Sequence, residues 1–367
     1  MSEVRTPSWL DESKESFAAR LEELAVSAGV ARASALATAW SGSLRRWIFE
    51  RGVLEPERMS DLPLALREAL RTAQPPLLAT REIERREAPD GTVKLLLELA
   101  DGERVETVNM PGSSGPTLCI STQVGCAVGC LFCASGLAGL RRNLTSGEIL
   151  EQFVRGNALR PIRRAVVMGI GEPSMNLEST LRALDAVHAP DGLDLGVRKI
   201  TISTIGFPAK IARLAEHPHR YQLAVSLHAA DQGLRDQLVP LARTVRLEDL
   251  HAALRAYFER TGREITLEYV LLRGVNDSAA QAQDLARWMK GLRATVNLIP
   301  FNPVDEAPFR RPRREDVDAF ASALERAGVT ATVRWSKGVE GDAACGQLRV
   351  RAEKRAEPAP GTEKESC

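Results

Sequence analysis

The spacing of apolar residues changes within the first 110 positions of the chain. Apolar side chains first recur three and four positions apart, the spacing that predicts amphipathic helices. They then alternate with polar residues or run together between turn residues, a pattern typical of strands. The predicted helices cover residues 12–28, 43–51 and 62–73, and the predicted strands cover 77–85, 92–100 and 104–110. Residues 1–110 are therefore expected to form a small accessory α+β domain.

From residue 111 to residue 349, strand-like apolar stretches alternate with segments of helix length. The predicted strands cover residues 117–123, 164–169, 199–204, 222–227, 265–271, 295–300 and 330–335. The helical segments between them cover 146–155, 177–187, 209–216, 247–261, 279–290 and 314–327. This alternation favours a parallel sheet with crossover helices, but the units are too few for an eight-unit barrel. We expect an α/β fold, a partial (β/α)6 TIM-like barrel with its chemistry at the carboxyl ends of the strands.

The last segment, residues 350–367, differs from both of these regions. It is rich in Glu, Lys, Ala and Pro and has almost no apolar side chains. Such a composition cannot bury enough apolar surface to fold, so a disordered tail is predicted. Cys367, at its end, is expected to be a bystander.

Composition narrows the classes of protein that the chain can represent. Its 367 residues include 49 Lys and Arg against 48 Asp and Glu, for a formal net charge of +1. This near balance of basic and acidic residues argues against a generic nucleic-acid binder. Arginine clusters at 141–142, 163–164 and 310–314 could nevertheless neutralise phosphates. The chain shows neither an apolar run of membrane-spanning length nor a signal-peptide core. A cytoplasmic, monomeric protein is expected.

Three cysteines lie close together in the chain. Cys126, Cys130 and Cys133 follow the spacing Cys-x3-Cys-x2-Cys, and Gly125 and Gly129 allow the backbone to bend around one centre. Thiolates are the ligands of iron–sulfur clusters, and a [4Fe–4S] cluster held by three cysteines keeps one iron open. Structural zinc fits less well because the sequence has no second cysteine pair nearby. A secreted disulfide framework fits worse, since six cysteines are few for this length.

The same cysteines match the signature of radical S-adenosylmethionine (SAM) enzymes, with Phe132 as the aromatic residue before the last cysteine. Further matching segments are 118–126, 168–173, 226–228, 297–303 and, most specifically, Ala-Ala-Cys-Gly-Gln-Leu at 343–348. In these segments the chain resembles the RlmN/Cfr family of RNA adenine methyltransferases. The resemblance implies a radical SAM barrel that binds a [4Fe–4S] cluster through Cys126, Cys130 and Cys133, together with SAM.

The resemblance also implies which residues at the strand ends contact SAM. A glycine-rich turn, a serine or a lone histidine at a strand end is a weak signal by itself. Their joint placement after successive strands is what makes them candidates. The implied SAM contacts are Gly171, Glu172, Ser203, Ser226, Leu227, His228 and Asn302.

Two cysteines outside the cluster motif are implied to act on the substrate. Cys345 would accept a methyl group from one SAM, and a second SAM would supply the radical that activates this methyl for addition to adenine. Glu106 would accept the ring proton, and Cys119 would release the product through a transient disulfide with Cys345. If the resemblance is set aside, an exposed strand carboxylate is an equally good interpretation of Glu106. The two thiols could then be unrelated buried groups.

The implied reaction is methylation at C2 of an adenosine in 23S rRNA, with an anticodon-loop adenosine of tRNA as a second candidate substrate. Residues 336–342 depart from the family's usual Arg-Gly-Asp-Asp-Ile run, so C8 methylation, as by Cfr, is the alternative within the class. A radical SAM enzyme with a non-RNA substrate and an iron–sulfur redox sensor are the hypotheses from other classes. The family also implies a reducing partner such as flavodoxin and an accessory domain that helps to grip RNA.

Overall fold

The computed structural model describes residues 8–74, 76–304, 307–335, 344 and 346–348. Within them, ten strands form one sheet and two short strands form another. The strands are β1 (Arg81–Glu87), β2 (Val93–Glu98), β3 (Arg104–Met110), β4 (Thr117–Cys119), β5 (Gln123–Gly125), β6 (Leu140–Asn143), β7 (Arg164–Val167), β8 (Ile200–Thr204), β9 (Gln222–Ser226), β10 (Ile265–Leu271), β11 (Ala294–Pro300) and β12 (Ala331–Val333). The α-helices are α1 (Lys14–Ser27), α2 (Ala33–Phe49), α3 (Leu64–Thr72), α4 (Ala134–Leu137), α5 (Ser146–Leu159), α6 (Leu177–His188), α7 (Pro208–Glu216), α8 (Gln232–Leu238), α9 (Leu247–Thr261), α10 (Ala279–Trp288) and α11 (Arg314–Arg326).

The large sheet confirms the predicted partial barrel. Its order is β1-β2-β3-β4-β7-β8-β9-β10-β11-β12, and pairing is parallel from β4 to β12. Helices α5, α6, α7, α9, α10 and α11 connect successive parallel strands, which gives six βα units followed by the short β12. Because β1 and β12 stand at opposite ends of this order, the sheet described here does not close. The carboxyl ends of the parallel strands all meet at one rim.

The first hundred residues are joined to the barrel by both sheet and core. Strand β3 pairs antiparallel with β4, with Val108 opposite Cys119, so the sheet crosses the predicted boundary at residue 110. Trp9 and Phe17 belong to the same hydrophobic core as Phe153 of α5. The division into domains at residue 110 stays a prediction, and the contacts across it are extensive.

Several predicted elements differ from the observed ones. The strand expected over 117–123 ends at Cys119, and Gln123 begins the separate hairpin of β5 and β6. Helix α2 begins at Ala33 rather than at residue 43, and α8 had no counterpart in the sequence prediction. The predicted tail at 350–367, including Cys367, lies outside the described residues. Among the helices that the structure describes, none is long and apolar enough to cross a bilayer.

Candidate active site

A small hairpin holds one side of the loop that carries the three clustered cysteines. Strand β5 pairs antiparallel with β6, and the Cys126 N–H donates to the Gly139 carbonyl over 2.9 Å. Gly125 has φ +73°, and a Cβ there would lie 1.8 Å from the Gly139 oxygen. Only glycine therefore allows the two strands to approach so closely just before Cys126.

The other side of the loop rests on α8 and the turn after it. The Leu131 N–H donates to the Leu238 carbonyl over 3.1 Å, and the Leu241 N–H donates to the Val128 carbonyl over 3.2 Å. Cys133 then forms the N-cap of the short helix α4. These bonds fix the backbone between Cys126 and Cys133, so the positions of the thiols follow from the fold.

The three thiols lie within electrostatic reach of one another. Burial raises the pKa of Cys126 to about 12, and the neighbouring Cys133 adds to the shift. Burial also raises the pKa of Cys130, with Cys133 and Cys126 contributing. Within the described residues, no three His, Cys, Asp or Glu side chains converge on a single metal ion. Three cysteines on one loop can each bind a separate iron of one cluster.

Arg235 places a buried positive charge beside these cysteines. Its side chain is fully buried and donates to the carbonyls of Ile205, over 2.6 Å, and Leu227, over 3.3 Å. Its Nη1 is buried and has no hydrogen-bond partner. Burial lowers the pKa of Arg235 to about 10, and Cys130 is among the groups that oppose this shift. An unpaired buried cation fits a site that holds an anionic thiolate-bound cluster.

The loop after β7 brings Gly171 and Glu172 to the same rim. Gly171 has φ +109°, and a Cβ there would lie 2.7 Å from the Gln123 side chain. The buried Glu172 carboxylate accepts hydrogen bonds from Thr204 Oγ1, over 2.6 Å, and the Ile205 N–H, over 3.0 Å. Burial raises the pKa of Glu172, although these hydrogen bonds act to lower it. The carboxylate thereby ties the end of β7 to the end of β8.

His228 connects the end of β9 to the cysteine loop. Its backbone has φ +62°, and its ring packs edge-on against Phe132 with 4.8 Å between centroids. The Val270 N–H donates to Nδ1 over 3.2 Å, which leaves the proton of the neutral ring on Nε2. Burial lowers the pKa of His228 to about 3, with Arg235 adding to the shift. The residue therefore remains a neutral donor at physiological pH.

One cavity gathers most of the predicted SAM contacts and all three clustered cysteines. Ser203 and Ser226 lie on its wall with their hydroxyl oxygens 3.4 Å apart, on the neighbouring strands β8 and β9. Leu227 is the exception, because its side chain is buried in the hydrophobic core. The predicted residues on the wall are Cys126, Cys130, Cys133, Gly171, Glu172, Ser203, Ser226, His228 and Asn302.

Cys119 lies directly behind the same cavity. It packs in a small apolar cluster with Val108, Ile170 and Leu348, and Leu348 itself lines the cavity. Burial raises the pKa of Cys119 to about 12. Cys345 lies outside the described residues, but Ala344 and Gly346 on either side of it are described. The Gly346 carbonyl accepts a hydrogen bond of 2.9 Å from the Ala134 N–H, one residue after Cys133.

Known proteins share this arrangement over most of the chain. A model of the radical SAM superfamily matches residues 120–286. A probable dual-specificity RNA methyltransferase RlmN from Symbiobacterium thermophilum is 47% identical over 317 residues, which cover 85% of each chain. The corresponding protein of Thermus thermophilus is 43% identical over 313 residues, 84% of this chain and 88% of that one. The chain belongs to the RlmN family.

A solved structure supports the same assignment at the level of the fold. The crystal structure of a radical SAM methyltransferase from Sphaerobacter thermophilus matches with a TM-score of 0.85 and 43% identity, covering 94% of this chain and 99% of that one. As a radical SAM enzyme of the RlmN family, the chain uses a [4Fe–4S] cluster and SAM. The buried Arg235, with its unpartnered Nη1, and the three clustered thiols fit the cluster, and the cavity that these thiols line fits SAM.

Glu106 lies on β3, one strand away from Cys119. Its carboxylate is buried and forms an ion pair with Lys94 on β2, with 2.8 Å between Nζ and Oε1. Glu106 is therefore not the exposed strand carboxylate that was the alternative interpretation. It is not part of the cavity wall in the described residues. The Lys94 ammonium stabilises the ionised form of this carboxylate.

Sequence reasoning missed Glu268, a carboxylate on the cavity wall. It lies on β10 and accepts a hydrogen bond of 2.6 Å from Asn297 Nδ2, which in turn accepts one of 2.9 Å from Arg334 Nε through Oδ1. Burial raises the pKa of Glu268 to about 7. A usable signal was present, since Glu268 is the one charged residue in the otherwise apolar strand β10. Arg235 and Lys94 gave no comparable signal.

Proposed function

We propose that this protein is an RNA adenine methyltransferase that modifies C2 of an adenosine in 23S rRNA and of an anticodon-loop adenosine in tRNA. The observation that carries the proposal is the shared cavity. The three clustered cysteines line it together with Gly346 and Leu348, which directly follow Cys345 in the chain. The RlmN name of the relatives, and the words dual-specificity RNA methyltransferase in it, supply the substrate class.

Cys126, Cys130 and Cys133 would hold the cluster, and the polar wall of the cavity would hold SAM. Held there, the cluster would supply the one-electron reduction of SAM on which radical chemistry at an unreactive ring carbon depends. Glu172 and the Nε2–H of His228 offer an acceptor and a donor to the polar groups of SAM. The apolar wall, including Phe132, excludes water from the reacting atoms.

Cys345 would carry the methyl carbon to the adenine ring and Cys119 would release it. Once the carbon is bonded to the ring, the Cys119 thiolate attacks the Cys345 sulfur and the sulfur–carbon bond breaks. The electron pair of that bond goes to the carbon, which takes up a proton, and a disulfide remains for a thiol reductant. Burial raises the pKa of Cys119 to about 12, so this step would require the thiol to become less buried than it is here.

Glu106 would accept the proton that the ring loses. Its ion pair with Lys94, at 2.8 Å, holds the carboxylate in place on β3. Its strand neighbours the one that carries Cys119, which suits a role on the same side of the substrate. We further propose a cytoplasmic monomer reduced by a donor such as flavodoxin, with residues 1–110 helping to hold the RNA.

The experiment is anaerobic reconstitution with SAM and a reductant, followed by mass spectrometry of nucleosides from rRNA and tRNA substrates. We expect 2-methyladenosine; 8-methyladenosine would favour the Cfr-like alternative. Cys345→Ala should abolish methylation while reductive cleavage of SAM to 5′-deoxyadenosine continues. Cys119→Ala should leave a covalent enzyme–RNA adduct on a denaturing gel, and full turnover by either variant would contradict the proposal.

A further inference from the structure

An exposed tryptophan stands between two arginines at the rim of the barrel. Trp335 follows β12, and its side chain is 44% exposed. The Arg311 guanidinium carbon lies 5.7 Å from the centroid of its ring, and that of Arg314 lies 5.6 Å away. Both distances are within the range of cation–π contacts. An indole held in this way presents a fixed aromatic surface to solvent.

This group lies at the opening of the active-site cavity. Strand β12 is parallel to β11, so Trp335 follows it at the rim where the strand ends carry the cavity residues. Arg311 donates a hydrogen bond of 3.3 Å from Nη2 to Asn302 Oδ1, and Asn302 lines the cavity. A molecule that contacts Trp335 is therefore one side chain away from the cavity wall.

The charges of the two arginines are only partly compensated. The Arg311 Nε is buried and has no hydrogen-bond partner in the described chain. Arg314 lies 3.9 Å from Asp318, with the two side chains 80% and 64% exposed, so this pair contributes little. Arg313, between them, differs because Glu315 and Asp316 both pair with it. Arg311 and Arg314 remain available to an anion.

Exposed apolar side chains concentrate at the same rim. In the part of the chain that the structure describes, five of the seven large exposed hydrophobic residues lie in the segments that directly follow the barrel strands β4, β7 and β12. Trp335 is the aromatic one among them, and two guanidinium groups lie within about 6 Å of its ring centroid. The five residues are Leu131, Leu137, Leu140, Met175 and Trp335.

We propose that Trp335, Arg311 and Arg314 form a binding platform for the single-stranded RNA that carries the target adenosine. A base would stack on the indole, and the guanidinium groups would contact the neighbouring phosphates. Every base has a π face and every nucleotide a phosphate, so an indole flanked by cations suits RNA better than it suits an apolar protein surface. This inference rests on the proposed function, because it assumes an RNA substrate.

The test measures RNA affinity of the cluster-loaded protein by fluorescence anisotropy. The probe is a short, labelled single-stranded RNA that contains one adenosine. Trp335→Ala should weaken binding about 5- to 100-fold, the cost of losing one base–aromatic stack, and Trp335→Phe should recover most of the loss. Arg314→Gln should reduce the slope of log K against log salt by roughly 0.7 between about 50 and about 200 mM.

Two matched variants control for the loss of an aromatic ring and of a charge. Phe258→Ala removes an aromatic ring on α9 whose centroid lies 5.7 Å from the Arg293 guanidinium carbon, and Arg287→Gln removes an arginine that is 79% exposed on α10. Both should leave RNA affinity unchanged. SAM binding and formation of 5′-deoxyadenosine should be unchanged in all of the variants. RNA affinities within about twofold of wild type for both Trp335→Ala and Arg314→Gln would overturn the platform. Failure of the wild-type protein to methylate RNA would instead overturn the proposed function.

Discussion

Arg235 places a buried positive charge beside the proposed cluster site. It is fully buried, its Nη1 has no partner, and its described hydrogen bonds go to two backbone carbonyls. A buried cation is costly unless anionic groups lie nearby, and here the Asp236 carboxylate and then the Cys130 thiol are within electrostatic reach. Because reduction adds negative charge to an iron–sulfur cluster, a nearby cation stabilises the reduced form.

Arg235→Met should therefore make the cluster harder to reduce. Loss of one charge at this range should lower the reduction potential by on the order of 100 mV. The measurement is a redox titration followed by electron paramagnetic resonance of the reduced cluster. Arg235→Lys, which retains the charge, should shift the potential much less, and Arg213→Met on the exposed side of α7 should not shift it. Equal potentials for Arg235→Met and wild type would rule out the electrostatic role.

Glu268 should give the folded protein a measurable pH dependence. Burial raises its pKa from 4.5 to about 7, so the folded state binds a proton that the unfolded state has already lost. The resulting cost is absent below pH 4.5, grows as the pH rises through this interval and is complete above 7. Once complete, this cost lowers the free energy of unfolding by roughly 3 kcal/mol.

Glu268→Gln removes this titration while keeping the shape of the side chain. The variant should gain stability relative to wild type as the pH is raised from about 5 to about 8. Urea denaturation at both pH values measures the difference, and Glu264→Gln, at an exposed site just before β10, is the control. A difference between wild type and Glu268→Gln that does not change with pH would show that Glu268 titrates normally.

At the level of elements, the hairpin of β5 and β6 decides whether the cysteine loop is preorganised. Gly125→Ala places a methyl group against the Gly139 carbonyl at a residue with φ +73°. Gly139→Ala is the matched control, since it has φ +69° and open space around it. The control should cost roughly 1 kcal/mol from backbone strain alone. Gly125→Ala should cost more and should also reduce the iron bound per chain.

Iron analysis after reconstitution, together with thermal unfolding of the apoprotein, separates these effects. We expect the Gly139→Ala protein to bind iron as wild type does, at a slightly lower melting temperature. A Gly125→Ala protein with a full iron content would show that the loop forms without the close approach of β5 to β6.

The elements that the sequence predicted well are those with a single clear period. Helix α9 and strands β3 and β10 have the predicted bounds, because each has a continuous apolar pattern between turn residues. Helix α2 was predicted too short because its first half buries Ala33 and Ala37, small residues that give a weak apolar stripe. The strand over 117–123 was predicted too long because β4 and β5 share one alternating pattern although they belong to different sheets.

The residues of the candidate site likewise fall into two groups, those marked by a local sequence pattern and those whose role depends on partners distant in the sequence. The cysteine motif and the strand-end residues were predictable because each follows a recognisable local pattern. Arg235 and Lys94 were not, because their importance comes from partners far away in sequence. Lys94 acquires its role only when β2 pairs with β3 and places it beside Glu106.

At the scale of the whole molecule, polar contacts, some buried and some exposed, hold the first eighty residues against the barrel. The Glu151 carboxylate on α5 accepts hydrogen bonds from the hydroxyl of Ser8 and from the N–H groups of Ala79 and Thr80. Asp191, in the loop after α6, pairs with both Lys14 and Arg45. Together with the shared core, these contacts make independent folding of the two predicted domains unfavourable.

The whole described chain should therefore unfold as one cooperative unit. Three of the five tryptophans, Trp9, Trp40 and Trp47, lie in the first fifty residues, so fluorescence reports mainly on that region, whereas far-UV circular dichroism reports mainly on the barrel. The two urea transitions should coincide. Glu151→Ala strands three buried donors and should shift both transitions together, by roughly 2 to 4 kcal/mol. Deletion of residues 1–110 should yield no folded barrel, because it exposes the edge of β4 and the core around Phe153. Removal of residues 350–367 should leave the transition unchanged. Two separate transitions, or a stable protein lacking residues 1–110, would show that the N-terminal region is an autonomous domain.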